Sequence, residues 1–273
     1  VSYWSNKNVL VTGGSSGLGL AIAREFARAG ARVAIVGLEP AGVEKAAEEL
    51  GRISHSILPL AGNICVESDV ARIVSSIHEK WGPLEVLVNN AGRSMRGTVR
   101  DTTPEQFREL MELNFIALVR MTQVFLDDLL STRGHVVNIG SLAAKAAAKF
   151  VGAYPATKHA VAAFSQQLRL ELGRRGLHVL LVCPGPIARA GERLYRLEGA
   201  ERVPEAARAP GAGVKVRSIS ADWLARRIVR ACEARKPELV VPARARLLFA
   251  IAQLSPRLGD WLIERFTPRG EDS

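Results

Sequence analysis

A short β-rich run, Asn8–Thr12, passes directly into a glycine-rich stretch, Gly13–Gly19. Leu20–Ala29 follows with apolar residues at helical spacing and stops at Gly30. A strand that turns at once into a helix leaves the unpaired N–H groups and the positive dipole end of that helix facing the turn. Gly13, Gly17 and Gly19 remove Cβ atoms there, so an anionic group can approach the backbone. The hydroxyls of Ser15 and Ser16 can add hydrogen bonds to a phosphate or a ribose. A lone turn of this kind is a weak signal, but here the strand before it and the helix after it supply the required context.

Beyond this unit, apolar runs alternate with amphipathic ones. Arg32–Val36, Ile53–Leu60, Leu84–Val88, His135–Ile139 and Leu177–Cys183 read as strands. Pro40–Leu50, Glu67–Trp81, a long stretch Pro104–Leu130 capped by Thr103, and Gly152–Arg175 read as helices. Near-continuous apolar strands imply burial on both faces, hence a parallel sheet between two helix layers. The expected fold is α/β, a three-layered, Rossmann-like doubly wound sheet. One domain is expected over residues 1–242, with a C-terminal helical extension over 243–273. Residues 188–217 break the rhythm and are rich in Ala, Arg, Gly and Pro, as expected of a functional loop over a substrate pocket.

The net charge of +10 raises nucleic acid, acidic lipid and anionic small molecules as partners. The basic residues are scattered and form no nucleic-acid motif, so a solvated basic surface is the favoured reading. Cys65, Cys183 and Cys232 are odd in number and widely spaced, which argues against a disulfide framework or a zinc site. The five histidines are likewise dispersed, and no metal is expected. Neither a secretory signal nor a membrane span is visible, and the expected location is the cytoplasm.

Tyr154 and Lys158 lie four residues apart on a predicted helix and so share a face. An ammonium beside a phenol stabilises the phenolate and suits the tyrosine to proton exchange near neutral pH. Pro155 is tolerable only in a first turn, which places Tyr154 at the helix start. Ser141, Asn89–Gly92 and Pro184–Gly185 each follow a strand, where ligands bind in open parallel sheets. Asn114 lies within an otherwise apolar helical stretch and, if buried, needs partners.

Together TGGSSGLG at 12–19, NNAG at 89–92, Asn114, Ser141, YPATK at 154–158 and PGPI at 184–187 resemble the short-chain dehydrogenase/reductase family in order and spacing, over roughly residues 5 to 242. The resemblance implies hydride transfer between the nicotinamide C4 of NAD or NADP and an alcohol or ketone. Tyr154 would be the general acid/base, Lys158 would lower its pKa and hold the nicotinamide ribose, Ser141 would orient the carbonyl, and Asn114 would hold a relay water. Gly13, Ser15, Ser16, Gly17, Leu18, Gly19, Gly37, Leu38, Asn63, Ile64, Asn90, Ala91, Gly92, Pro184, Gly185 and Ile187 would complete the cofactor site. A homodimer or homotetramer is implied, built on the long helices.

The chain departs from the family pattern at three places. Asn63 stands where the family often has Asp beside the adenine, and an amide oxygen can still accept from an adenine amine. Arg189 stands where a Thr often contacts the carboxamide. Gly37-Leu38 carries neither the Asp typical of NAD enzymes nor the Arg typical of NADP enzymes. With no carboxylate at 37 to repel a 2′-phosphate, and Ser16 able to donate to one, NADP is favoured over NAD. Lys145 and Lys149, between Ser141 and Tyr154, suit either an anionic substrate or, the favoured reading, plain solvation.

The alternative to an enzyme is a nucleotide-binding regulator on the same fold, against which the complete Asn114, Ser141, Tyr154 and Lys158 set argues. The second alternative is a membrane-surface reductase using the C-terminal run. There Arg244 and Arg246 precede Leu247, Leu248, Phe249, Ile251 and Leu254, and Leu258, Trp261, Leu262 and Phe266 follow Pro256. Packing of this run on the chain's own core or on a dimer mate is favoured over contact with a membrane surface.

Overall fold

The computed structural model describes residues 2–188, 203–208 and 217–266. Arg189 and most of the irregular segment 188–217 lie outside the described residues. Seven parallel strands form one sheet in the order β3-β2-β1-β4-β5-β6-β7. They are β1 (Asn8–Thr12), β2 (Arg32–Gly37), β3 (Ile57–Ala61), β4 (Val86–Asn89), β5 (His135–Ile139), β6 (His178–Pro184) and β7 (Glu238–Val241). The chain starts at β1, winds outward to β3, returns to β4 beside β1 and winds outward again to β7. The loops after β1 and β4 therefore leave in opposite directions and open a crevice between them.

The central strands are buried along their whole length, as their apolar sequences require. One face is covered by α1 (Gly17–Arg28), α2 (Pro40–Gly51) and α9 (Ala221–Glu233), with Ile22 and Phe26 of α1 and Leu224 and Ile228 of α9 fully buried. The other face is covered by α3 (Glu67–Trp81), α5 (Ala117–Val124) and α7 (Tyr154–Leu172), through residues such as Ile73, Met121 and Leu168. Each large side chain buried in these layers contributes about 1.5–3 kcal/mol.

Two sequence expectations are corrected. The stretch 104–130 is not one helix. It runs as α4 (Pro104–Met111), a π turn over Glu112–Ile116 and α5, and breaks at Phe125 before α6 (Leu126–Ser131). Apolar periodicity cannot register a single inserted residue, so the pattern reads straight through the π turn. The third strand begins at Ile57, not Ile53, because Ile53 and Ser54 bond back to Leu50 and finish the preceding helix. Short helices α8 (Glu205–Arg208), α10 (Ala245–Leu254) and α11 (Pro256–Phe266) complete the elements.

Two of the histidines dispersed along the sequence meet in space. At the amino ends of β5 and β6, far from the glycine turn, His135 and His178 converge with Cys232 of α9, their ligand-type atoms all within 4.8 Å. The group is buried and its ring nitrogens are paired. His178 Nε2 donates to the Lys236 carbonyl (2.9 Å), which leaves His178 Nδ1 as an acceptor. It receives the Nδ1 proton of His135 (2.9 Å), and His135 Nε2 in turn accepts from the Tyr3 hydroxyl (2.9 Å). Both rings are neutral in this chain: a proton on His178 Nδ1 would face the Nδ1–H of His135, and a charge on His135 would sit buried beside its neighbour ring. Burial, followed by the charge of His178, pushes His135 down to about 3, and burial pushes His178 down to about 4.

Both folded-state values lie below the ordinary 6.5. The unfolded chain therefore binds the extra protons first. Stability should be full above pH 6.5 and fall as the pH drops from there toward 4, by up to about 1.4 kcal/mol per pH unit for each histidine. Urea unfolding across this window should show the decline, and His178→Gln should flatten it. An identical slope in the variant would show that other groups set the acid limit.

Candidate active site

β1 delivers Thr12 to the glycine turn at the crevice. Gly17 holds φ +54, and no atom lies within 4 Å of where its Cβ would stand. At Gly19 a Cβ would lie 2.1 Å from the Gly13 carbonyl oxygen, so the helix can start this close to the turn only with glycine there. Ser16 caps α1 with extended backbone and makes no side-chain cap bond, and no acidic residue occupies the first turn. The first amides of α1 and the Ser16 hydroxyl thus remain as donors at a helix N-terminus. That donor set fits the pyrophosphate of a dinucleotide. Leu18, by contrast, is buried beneath the turn.

The turn is braced from β4. Thr12 Oγ1 donates to the Val88 carbonyl (3.3 Å) and accepts the N–H groups of Asn90 (3.0 Å) and Ala91 (3.1 Å). Asn90 Nδ2 donates back to the carbonyls of Thr12 (3.0 Å) and Gly13 (3.2 Å). The side chain of Asn90 therefore holds the glycine turn, while Ala91 and Gly92 continue along the crevice.

At the end of β2, a Cβ on Gly37 would lie 2.6 Å from Ser15 Oγ and 2.7 Å from Val43 Cγ2. No carboxylate can be carried there without displacing Ser15. Leu38 beside it is largely exposed. After β3, Asn63 Oδ1 accepts the N–H of Cys65 (3.0 Å), and its own N–H donates to the Asp69 carboxylate (2.7 Å). That backbone bond, then Arg72, holds Asp69 below the usual carboxylate range. Asn63 thus shapes its turn with its amide oxygen, and Ile64 is buried behind it.

Three elements bring Asn114, Ser141, Tyr154 and Lys158 to one region: the π turn, the segment after β5 and α7. Tyr154 is the first residue of α7, as Pro155 requires. Lys158, one turn on, is buried, with Nζ donating to the Ile139 carbonyl (2.8 Å) at the end of β5 and lying 5.8 Å from the centre of the Tyr154 ring. Burial pushes this ammonium down to about 8. Its remaining N–H groups fit ribose hydroxyls, and its buried charge gains from a phenolate beside it. Ser141 follows β5 by two residues, in extended backbone, where Oγ accepts the Ala143 N–H (3.1 Å).

Asn114 sits within the π turn and is buried. Its Oδ1 accepts the Arg93 N–H (2.9 Å), and Nδ2 donates to the Arg93 carbonyl (2.9 Å) and to Thr157 Oγ1 (3.1 Å). Thr157 donates in turn to the Tyr154 carbonyl (2.8 Å). Asn114 therefore ties the segment after β4 to the first turn of α7. A second buried chain runs from Asn89 to Asn138 (3.0 Å) and from Asn138 to Ser165 (2.9 Å), joining β4, β5 and α7. Thr12, Thr157, Asn138 and Ser165 were missed as positioning groups. Polar residues inside runs destined for burial are the signal that could have found them.

Pro184 and Gly185 pair with Val241 at the end of β7. Ile187 bridges Ile219 through the bonds of Ala188 and Pro186, so its own N–H has no partner among the described residues. The described part of the irregular segment, 203–208, packs Val203 and Ala207 on Phe150, and buried Arg96 donates to the Ala207 carbonyl (2.8 Å). Lys145 and Lys149 are not solvated alone. They pair with Glu238 (2.7 Å) and Glu264 (3.1 Å), so neither presents an unopposed charge to a substrate.

A family model described as short chain dehydrogenase matches residues 7–194. Dehydrogenase/reductase SDR family member 7B of Bos taurus is 35% identical over 193 residues, 68% of this chain and 59% of that protein. The chain thus spans less than two-thirds of that relative's length. L-fucose dehydrogenase of Mus musculus is 35% identical over 188 residues, 68% of this chain and 67% of that protein. Among solved structures, L-sorbose reductase from Gluconobacter frateurii, complexed with NADPH and L-sorbose, superposes with a TM-score of 0.74 at 25% identity, covering 87% of this chain and 95% of that one.

Thr12→Val keeps the shape and removes the acceptor that two backbone amides share. Each amide left unpaired should cost about 1–3 kcal/mol, read as a lower urea midpoint, and Thr12→Ser should recover most of it. A neutral Thr12→Val would mean that these amides find other acceptors.

Proposed function

The chain belongs to the short-chain dehydrogenase/reductase family, and from that premise we propose that it oxidises or reduces an alcohol/ketone pair with a nicotinamide dinucleotide. The observation that carries this reading is the buried Lys158 ammonium, anchored by Ile139 and placed beside the Tyr154 ring at the crevice. When bound, the dinucleotide supplies or takes the hydride. Gly13, Ser15, Ser16, Gly17 and Gly19 would hold its pyrophosphate and adenosine side, with Gly37, Leu38, Asn63 and Ile64 around the adenosine. Ala91, Gly92, Pro184, Gly185 and Ile187 would line its nicotinamide half.

The Tyr154 hydroxyl gives a proton to the substrate oxygen during reduction, and its phenolate takes that proton back during oxidation. Lys158 stabilises the phenolate so formed and holds the ribose. Ser141 Oγ orients the substrate oxygen by hydrogen bonding. Asn114 fixes the first turn of α7 through Thr157, and its second Oδ1 lone pair can hold a relay water. NADP is favoured over NAD, because the steric limit at Gly37 keeps a repelling carboxylate away from a 2′-phosphate. The neighbour solved with NADPH is in keeping with this preference. Assembly into a closed homodimer or homotetramer is supported by Phe107 of α4, Ile116 of the π turn, Val124 of α5 and Leu170 of α7, which stay exposed.

Tyr154→Phe should lower turnover by about 10²–10⁴-fold on an accepted substrate while cofactor affinity is kept. Unchanged turnover would remove Tyr154 from the chemistry. No turnover by the native chain across a broad panel, with tight cofactor binding, would favour a regulator. Fluorescence titration with NADPH and NADH should show tighter NADPH binding, and tighter NADH binding reverses the cofactor assignment. Light scattering at micromolar concentration should report an oligomer, and a monomer there would refute the assembly.

A further inference from the structure

α10 and α11 form a hairpin at the end of the described chain, joined at Ser255 and closed by Gly259 against Ala252. Its attachment to the rest of the molecule is narrow. Phe249 alone of α10 is buried in the cluster formed by Leu118, Val161 and Val240, and Glu264 reaches Lys149. Of the two coverings expected for this run, the chain's own core supplies little. Leu247 and Leu254 are 69% and 86% exposed, Leu258 and Trp261 45% and 50%. Leu247 and Leu254 lie two turns apart on one side of α10, and Leu258 and Trp261 lie three residues apart on one side of α11.

The charges around these apolar stripes select the occupant. Arg244, Arg246, Arg257 and Arg265 are exposed on the hairpin, and none forms an ion pair among the described residues. Arg265 stacks over Trp261 at 4.9 Å. Against four arginines the two helices carry only Asp260 and Glu264, and Glu264 is engaged by Lys149. A second copy of the chain would set arginine rims against arginine rims. An anionic bilayer surface neutralises them while its acyl boundary takes the leucines and the tryptophan. No helix among the described residues is long and apolar enough to cross a membrane, so the contact is with one face of the bilayer.

We propose that the α10–α11 hairpin docks the protein on anionic lipid surfaces, inserting Leu247, Leu254, Leu258 and Trp261 within a rim of arginines. The test is co-sedimentation of the full chain with vesicles of phosphatidylcholine alone and with phosphatidylglycerol added. Binding should appear with the anionic vesicles and fall with salt. Leu254→Glu and Trp261→Glu, both at exposed positions, should each weaken it by about tenfold. Val99→Glu adds the same charge at a site 94% exposed elsewhere and should leave binding unchanged. Failure to sediment with anionic vesicles overturns the proposal, as does equal weakening by Val99→Glu, which would reduce the effect to net charge. Light scattering on the hairpin variants separates the rival occupant. A smaller oligomer with vesicle binding intact would assign the hairpin to a contact between copies instead.

Discussion

The hydroxyl of Thr12 occupies the one place where two neighbouring parallel strands send their loops in opposite directions. Between β1 and β4 the sheet cannot supply partners for the amides that leave it, because the chain turns away on both sides. Thr12 accepts two of those amides and donates to the β4 carbonyl, and Asn90 closes the arrangement from the other strand. The glycine turn is thereby held open beside a helix N-terminus. Everything proposed for the cofactor depends on that crevice keeping its width.

Position is transmitted to α7 by buried polar pairs. Asn89, Asn138 and Ser165 link two strands to the helix interior, while Asn114 and Thr157 hold its first turn. In a low-dielectric interior such groups are costly unless paired, so these bonds favour one register between sheet and helix. The same low dielectric acts on Lys158, whose charge is tolerated against the Ile139 carbonyl and becomes sensitive to an anion nearby. The proton exchange proposed for Tyr154 rests on this buried cation one turn along α7.

The amino ends of the strands have the reverse character. Tyr3, His135, His178 and the Lys236 carbonyl form a polarised chain that needs His178 Nδ1 as an acceptor and whose burial disfavours charge on either ring, and Trp4 packs on it at 5.2 Å from His135. It stitches the first residues of the chain to β5, β6 and the segment after α9. The residues proposed for catalysis lie beyond one end of these strands and an acid-sensitive structural chain lies at the other.

The alternation of buried apolar runs with amphipathic ones determined the parallel sheet, because each strand's own composition demands burial on both faces. The glycine turn, the placement of Tyr154 at a helix start and the Tyr154–Lys158 face were equally local, set by Cβ removal, proline geometry and helical spacing. The interruption at Asn114 was not legible, since a π turn leaves the apolar pattern intact and only packing against Arg93 and Thr157 reveals it. Nor could spacing bring together His135 and His178, forty-three residues apart, or give Lys145 and Lys149 their glutamate partners. Those pairings depend on strand order and helix docking, which are decided by how separate apolar faces fit together and not by any one segment. The exposure of Leu254 and Trp261 belongs to the same class. A helical stripe states that an apolar face exists, and only the tertiary structure decides whether the rest of the chain covers it.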